Sequence, residues 1–369
     1  MQHRRTLDQI HSYRPARSRE SLRQDPRLGE VVRLAGNENN LGHSPLVHAA
    51  IAAAGSSMHR YPDPACTRLR LRLAEKFAVD PSQLVFGDGS FELLSLVAQA
   101  FLNPSDEAII PEPSFRWYKV ATWAMDGRVV DVPLRDHTTD LDAILAAVTI
   151  RTSLVWICNP QNPTGTSLRH MDLVSFLRRL PDSVLVVLDE AYIEFADSTS
   201  RPDGTLLLNE FPNVILLRTF SKLYGLAGLR IGYGIARPET IASIEKIRPP
   251  INVNHLAQVA ALAALEDTDF VRTVLANNAA AKVRYSSVCA ELGIRYIPTH
   301  ANFIMIETGR NGDEMSQLFL NHGILLRSGV EFGMPTWLRI TLGTPADNDK
   351  VFAVLYKALA RQSISAVAH

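Results

Sequence analysis

The chain has 369 residues, of which 46% are hydrophobic and 21% are charged, and its 38 lysines and arginines balance 38 aspartates and glutamates. This composition is typical of a globular protein with sizeable cores, and it excludes a disordered chain or a small disulfide scaffold. A net charge of zero provides no global field for nucleic acid or an anionic membrane, so we expect a small-molecule partner.

The cysteines and the N-terminal region indicate the cellular compartment. Cys66, Cys158 and Cys289 are far apart and form no CxxC pair, which fits a reducing compartment and argues against disulfides or a zinc site. The first thirty residues are rich in arginine but lack the apolar core of a secretory signal, and interspersed acidic residues disfavour the alternative of an organelle transit peptide. No apolar run approaches the ~18 residues of a membrane-spanning helix. We therefore expect a soluble, cytoplasmic protein.

Short apolar runs alternate with longer amphipathic stretches over the first two thirds of the chain. The runs predict strands at residues 84–86, 108–110, 129–132, 154–157, 184–188, 214–217 and 230–234. Several are continuously apolar, as in strands that helices cover on both faces. The alternation predicts an α/β fold with a mostly parallel, doubly wound sheet, in which ligands bind beyond the carboxyl ends of the strands.

The pattern changes after Pro249 and Pro250 to a long alanine-rich helical region. This region covers roughly residues 256–292, and a second set of strands is predicted at residues 294–297, 303–306, 324–327 and 338–342. The simplest division is an N-terminal arm over residues 1–38 that packs with the small domain, a large domain over 39–250, and a connecting helix with a small C-terminal α/β domain over 251–369.

The first chemical motif joins the strand at 84–86 to a predicted helix. Its glycines, Gly87 and Gly89, precede a helix N-terminus, where backbone N–H groups and the helix dipole favour a phosphate. A dinucleotide fingerprint is disfavoured because Glu92 occupies the place of its third glycine, and the chain has no P-loop motif.

Two further motifs directly follow predicted strands. In the run from Cys158 to Gly165, two Asn-Pro steps form a rigid turn from which Asn162 can donate to a ring oxygen, although an ordinary turn explains the same run. Asp189, before Tyr192, stands where a carboxylate can keep a pyridine nitrogen protonated, and the alternative is an aspartate that caps a loop.

The most informative motif runs from Thr219 to Arg230. Lys222 follows a buried strand and two hydroxyls, and a glycine-rich turn leads to Arg230. A lysine that forms a Schiff base must lose its proton near neutral pH, and a desolvated position beside other cations lowers its pKa from ~10.4. The hydroxyls and Arg230 would form a phosphate cradle, while the alternative is a lysine in a surface loop.

These four motifs together resemble the fold-type-I pyridoxal-phosphate (PLP) aminotransferases, most closely their histidinol-phosphate aminotransferase branch. The similarity extends to residues 34–39, 60–64 and 337–343 and so covers nearly the whole chain. It implies that Lys222 carries PLP as a Schiff base and shuttles a proton, that Asp189 pairs with the ring nitrogen, and that Phe115 stacks on the ring. It further implies contacts to the ring oxygen and the cofactor phosphate from Asn162, Tyr192, Gly89, Ser90, Thr219, Ser221 and Arg230.

The same resemblance implies a homodimer with shared active sites, because Tyr61 matches a tyrosine that reaches the cofactor phosphate of the other subunit. Asn39, Arg327 and Arg339 match substrate-binding positions. The chain departs from the family pattern after Arg327, where the usual proline is absent and Phe332 replaces a frequent tyrosine. The identity of the substrate depends on these positions.

The implied reaction is transfer of an amino group from L-histidinol phosphate to 2-oxoglutarate, giving imidazole-acetol phosphate and L-glutamate in histidine biosynthesis. Alternatives that keep PLP are an aromatic amino acid aminotransferase and a decarboxylase of a phosphorylated amino acid. A binding module without catalysis is disfavoured because Lys222, Asp189, Tyr192 and Arg230 are all present. No metal is expected, since no HExxH arrangement exists.

Overall fold

The computed structural model describes residues 4–10, 17, 19–24, 29–198 and 201–365. Arg14 and Arg27 of the arginine-rich N-terminal region lie outside the described residues. Numbered in chain order, the α-helices α1 to α13 of the described residues are Arg19–Arg23, Pro45–Ala54, Thr67–Phe77, Gly89–Phe101, Trp117–Ala124, Leu141–Ala147, His170–Leu177, Gly204–Glu210, Pro238–Glu245, His255–Glu266, Thr268–Glu291, Gly312–Asn321 and Pro345–Ser365. The strands β1 to β13 of the same residues are Val32–Arg33, Leu84–Gly87, Glu107–Glu112, Arg128–Pro133, Thr152–Cys158, Leu185–Asp189, Val214–Thr219, Gly232–Ile235, Arg295–Ile297, Phe303–Glu307, Ile324–Leu325, Arg327–Ser328 and Trp337–Thr341.

The large sheet has seven strands within the described residues, in the order β2-β8-β7-β6-β5-β3-β4. β8 runs antiparallel to both of its neighbours, and the other pairs are parallel. Side chains of β5 alternate between two cores: Leu154 and Trp156 pack on one face, and Val155 and Ile157 on the other. Because both faces are covered, the central strands β5, β6 and β7 are mainly apolar, whereas the edge strand β4 is partly exposed. The predicted doubly wound, mostly parallel sheet is confirmed.

The C-terminal part forms a smaller α/β unit with its own core. Its antiparallel sheet has the order β12-β13-β10-β9 and packs with side chains of α11, α12 and α13. In a separate parallel pair, β1 near the N-terminus hydrogen-bonds to β11, with Val32 opposite Ile324. This pairing supports the proposal that the N-terminal arm belongs with the small domain.

Three predicted boundaries were wrong in detail. Arg230 was placed in a strand but has a left-handed backbone with φ of 57°, and β8 begins at Gly232. The strand predicted at 324–327 is divided, since β11 pairs with β1 and β12 pairs with β13. The long helix is interrupted at Asp267, whose carboxylate accepts a hydrogen bond from the Phe270 N–H and starts α11.

None of the helices in the described part of the chain is long and apolar enough to cross a membrane.

Candidate active site

A cavity of about 1270 Å³ is lined by the carboxyl ends of β5, β6 and β7 and by residues of β12 and β13. The register of the parallel strands sets Cys158 of β5 beside Asp189 of β6. Ligands of doubly wound sheets bind at this edge. The cavity brings together most of the predicted site residues: Ser90, Phe115, Asn162, Asp189, Tyr192, Thr219, Ser221, Lys222, Arg230, Arg327 and Arg339.

Lys222 follows β7, and its side chain enters the cavity. Its Nζ donates to the Gly36 carbonyl at 3.0 Å and lies 5.6 Å from the ring centroid of Tyr192. Loss of solvation, together with the positive charges of Arg339 and Arg230, lowers the pKa of Lys222 from 10.5 to about 8. A useful fraction of the amine is therefore neutral near physiological pH, as a nucleophilic lysine requires.

Asp189 ends β6 and is 4% exposed. Its Oδ2 accepts a hydrogen bond from the Tyr118 hydroxyl at 2.8 Å, and its Oδ1 accepts from the Ala191 N–H at 3.2 Å. Loss of solvation raises the pKa of Asp189 from 3.8 to about 6, although the hydrogen bond from Tyr118 acts in the opposite direction. At neutral pH the group is therefore a buried, mostly ionised carboxylate that can pair with a positively charged ligand atom.

An anion cradle is formed by Ser90 at the start of α4, by Thr219 and Ser221 after β7, and by Arg230. The side chain of the N-cap residue of α4 makes no capping hydrogen bond, so it does not satisfy the first N–H groups of that helix. Thr219 Oγ1 donates to Ser221 Oγ at 2.9 Å, and Arg230 Nη1 approaches the same oxygen at 3.5 Å.

Two glycines allow the parts of the cradle to lie close together. A Cβ on Gly89, where φ is +72°, would collide with the Arg230 guanidinium, and a Cβ on Gly232 would lie 2.6 Å from the Ser90 nitrogen. Only glycine allows the Arg230 guanidinium and the Ser90 backbone to approach these two positions so closely. The donor set of hydroxyls, helix N–H groups and a guanidinium fits a phosphate.

A second cationic region lies on the small sheet. Arg327 of β12 and Arg339 of β13 are directly opposite each other in an antiparallel pair. Arg339 is buried, donates to the Ala35 carbonyl at 3.0 Å and to Asn162 Oδ1, and lies 5.2 Å from the Phe332 ring centroid. Two planar guanidinium groups on neighbouring strands can bind an anionic substrate group bidentately.

The Arg327 guanidinium makes a two-point ion pair with Glu331. An anion that binds Arg327 therefore competes with a carboxylate that is already present.

Three of the predicted residues do not line this cavity. The Asn39 amide donates to the Leu223 carbonyl at 2.9 Å, outside the cavity. Tyr61 is 88% exposed at the surface between α2 and α3. Gly89 contributes no lining surface and instead packs against Arg230, as described above.

Sequence reasoning missed two polar residues in contact with the predicted site. Asn37 donates to the Tyr192 hydroxyl at 3.0 Å, and Tyr118 donates to Asp189. Asn37 lies in the 34–39 segment that was matched only as a motif. Tyr118 lies three residues after Phe115, which places both on one side of a helical turn, and this spacing was the available indication.

The fold and the cavity define an enzyme of the PLP-dependent class, because a buried carboxylate, a lysine of lowered pKa and an anion cradle meet at the ligand-binding edge of the sheet. The chain matches the family described as aminotransferase class I and II over residues 29–355, and it belongs to that family.

Several similar proteins are named histidinol-phosphate aminotransferase. The chain is 44% identical over 347 residues to histidinol-phosphate aminotransferase 2 of Carboxydothermus hydrogenoformans, covering 94% of this chain and 96% of the relative. It is 40% identical over 365 residues to histidinol-phosphate aminotransferase of Geobacillus thermodenitrificans, covering 99% of this chain and 100% of the relative. The crystal structure of histidinol-phosphate aminotransferase from Sinorhizobium meliloti with pyridoxal-5'-phosphate has a TM-score of 0.88, 30% identity and 97% coverage of both chains. The resemblance to this branch is confirmed.

Proposed function

We propose that this chain transfers the amino group of L-histidinol phosphate to 2-oxoglutarate with PLP as cofactor, giving imidazole-acetol phosphate and L-glutamate. The observation that carries the proposal is that one cavity holds Lys222, the anion cradle and the paired arginines Arg327 and Arg339. The names of relatives at 40% identity or more over nearly the whole chain support the choice of substrate.

The cavity fits PLP through the anion cradle, which would hold the cofactor phosphate, and through Asp189, which would face the pyridine nitrogen. Phe115 would stack on the ring, and Asn162 and Tyr192 would bond its oxygen. Lys222 would hold the cofactor covalently. When bound, PLP supplies an electron sink for the carbon that loses a proton.

The residues of the chain would position charge and move the proton. A Lys222 pKa of about 8 suits a group that accepts and returns a proton at Nζ near neutral pH. Asp189 is ionised above pH about 6 and would then stabilise a positive ring nitrogen. Arg327 and Arg339 would hold the donor phosphate and, in the second half of the reaction, a carboxylate of the acceptor.

A panel of amino donors tests this proposal. With 2-oxoglutarate as acceptor, glutamate formation should be fastest with histidinol phosphate, much slower with histidinol, and slow with phenylalanine or tyrosine. Carbon dioxide is measured in parallel, because its release without glutamate would indicate a decarboxylase. Equal rates with aromatic amino acids and histidinol phosphate would refute the substrate assignment and leave the aminotransferase assignment intact.

The proposed enzyme is a homodimer in which Tyr61 reaches the cradle of the partner. In the single chain this tyrosine is 88% exposed, and the nearby Met58 and Leu71 are 61% and 56% exposed. Leu71 lines a groove of about 990 Å³ between α2, α3 and α10, and Tyr61 lines a second cavity that shares Val259 and Leu262 with it. Burial of this surface against a second copy would remove exposed apolar area from water.

A further inference from the structure

We propose that Tyr118 is a positioning residue that acts through Asp189: its hydroxyl fixes the orientation of that carboxylate and keeps it ionised toward the cofactor ring. The inference rests on the proposed function and deepens it, since it concerns the same site. Tyr118 does not line the cavity, so it would act without touching cofactor or substrate.

The ring of Tyr118 is held rigidly. It is fully buried in α5 and stacks on Trp156 with ring centroids 5.3 Å apart and planes 9° apart. Phe115 meets it edge-on at 5.6 Å. Thr122 Oγ1 donates to the Tyr118 carbonyl at 2.8 Å and accepts from the Trp156 indole N–H at 3.3 Å. A rigid ring fixes the position of its hydroxyl to within a fraction of an ångström.

The hydroxyl is a donor at every physiological pH. Loss of solvation and the neighbouring charge of Asp189 raise the pKa of Tyr118 well above 10, so the phenol keeps its proton. Its hydrogen bond to Oδ2 and the Ala191 hydrogen bond to Oδ1 hold Asp189 at both oxygens. The remaining lone pairs of the carboxylate are available on the cavity side.

The balance that keeps Asp189 ionised depends on this hydroxyl. Burial raises the pKa of Asp189, and the hydrogen bond from Tyr118 is the largest effect that lowers it. Without the hydroxyl, the carboxyl pKa would rise further above 6, toward the pH at which the enzyme works. A protonated Asp189 cannot stabilise a positive ring nitrogen.

Tyr118→Phe removes the hydroxyl and leaves the ring contacts with Trp156 and Phe115 in place. Tyr285→Phe is the matched control, because Tyr285 is also fully buried and its hydroxyl donates to Asn348 Oδ1 at 3.3 Å in the small-domain core. Two quantities are measured: the dissociation constant of PLP from the cofactor-free protein, and the NMR shift of the ring nitrogen in isotope-labelled PLP across pH. Melting temperatures show whether each variant is folded.

We expect Tyr118→Phe to weaken PLP binding about tenfold, the scale of one hydrogen bond to a charged group. The proton that the ring nitrogen shares with Asp189 should move toward the carboxylate, so that the nitrogen signal shifts toward that of the neutral ring. Tyr285→Phe should match the wild type in both quantities. Fluorotyrosine at position 118, a stronger donor of nearly the same shape, should move the nitrogen signal in the opposite direction, and it remains informative if Tyr118→Phe does not fold.

Wild-type PLP affinity and an unchanged nitrogen shift in folded Tyr118→Phe would overturn the inference. An unchanged shift in the fluorotyrosine protein would overturn it equally. A wild-type protein that binds no PLP would instead refute the proposed function, so the two failures are distinguishable.

Discussion

Burial makes the charged forms of Asp189 and Lys222 less stable than they are in water. Burial raises the pKa of the carboxyl to about 6 and lowers the pKa of the amine to about 8. At pH 7 both groups are therefore mostly charged where charge is poorly solvated. The buried charges of Asp189 and Lys222 therefore lower the stability of the folded protein relative to the unfolded chain, in which both groups are solvated.

The raised pKa of Asp189 makes the stability of the cofactor-free protein depend on pH. Because the folded pKa of about 6 exceeds the unfolded value of 3.8, its stabilising contribution is complete below pH ~4 and is lost as pH rises through 6. Asp189→Asn should therefore raise the free energy of unfolding of the cofactor-free protein at pH 8 by up to about 3 kcal/mol. A higher melting temperature should accompany this gain. This gain should shrink as the pH falls from 6 toward 4.

The same substitution should lower kcat of the loaded enzyme about a thousandfold or more, because a neutral amide cannot stabilise the ring charge. Melting curves at pH 8 and pH 4 and steady-state rates provide the check. A melting-temperature difference independent of pH would contradict the assigned ionisation.

The arginines Arg327 and Arg339 should contribute unequally to substrate binding. Arg339 is buried and donates to the Ala35 carbonyl and to Asn162 Oδ1, whereas Arg327 already pairs with the Glu331 carboxylate. We expect Arg339→Ala to lower kcat/KM for histidinol phosphate at least about a hundredfold, and Arg327→Ala about tenfold. Arg295→Ala, which removes the exposed arginine of an ion pair with Glu307, is the control and should leave kcat/KM unchanged. Equal losses at Arg327 and Arg295 would remove Arg327 from the site.

Motif residues that touch a ligand were identifiable from the sequence, whereas residues that act through another side chain were not. Asp189 ends a strand, Lys222 follows one and Arg230 precedes one, and all three carry recognisable chemistry. Tyr118 and Asn37 are ordinary polar residues in local sequence, and their roles depend on contacts across 71 and 155 positions. Asn39 was predicted from a motif to bind substrate, but its amide donates to the Leu223 carbonyl outside the cavity. The motif alone did not indicate this bond.

At the level of elements, a buried ion pair connects β6 to β7 just beyond the cavity. Arg218 Nε donates to Glu190 Oε2 at 2.8 Å, and the guanidinium lies 4.9 Å from the Phe77 ring centroid. The Glu190 side chain is 1% exposed. Because Asp189 precedes Glu190 and Thr219 follows Arg218, the pair holds the strand ends that carry two site residues.

Removal of one partner should be much worse than removal of both. Arg218→Met leaves an uncompensated buried carboxylate and should destabilise the protein by about 3–5 kcal/mol, and Arg218→Met with Glu190→Gln should recover much of that loss. Arg178→Met is the matched control, because its exposed pair with Glu210 should contribute about 0–1 kcal/mol. Thermal unfolding of the four proteins measures these differences. Equal effects of Arg218→Met and Arg178→Met would show that the buried pair is not special.

The central strands of the large sheet were predictable because they are apolar runs covered on both faces, while the partly exposed edge strand β4 was recognisable from its valines. The errors arose where a pairing partner, rather than the local sequence, decides the structure. β11 and β12 separate because one pairs with the N-terminal β1 and the other with β13. Arg230 departs from the strand because its guanidinium reaches the Ala227 and Asp88 carbonyls from a left-handed backbone. The strand pairings and the contact to the Asp88 carbonyl, which is 142 positions away, leave no local pattern.

At the level of the whole molecule, a shared active site predicts complementation between inactive subunits. If Tyr61 serves the partner, a hybrid of Lys222→Ala and Tyr61→Ala subunits contains one intact site, and random exchange should restore about a quarter of the wild-type activity. A mixture of Lys222→Ala and Asp189→Asn should restore none, because both residues belong to one subunit. No recovery in the first mixture, with subunit exchange verified by mass spectrometry, would refute the shared site.

The position of β2 at the sheet edge has a consequence for synthesis on the ribosome. In the described sheet β2 pairs only with β8, and the ribosome must first make everything from Asp88 to Ile231. At about 5–20 residues per second this takes on the order of ten seconds, during which an apolar strand lacks its partner and is exposed to aggregation. Ser90 follows β2 and Arg230 precedes β8, so the nascent chain completes the anion cradle in the same event that pairs this strand.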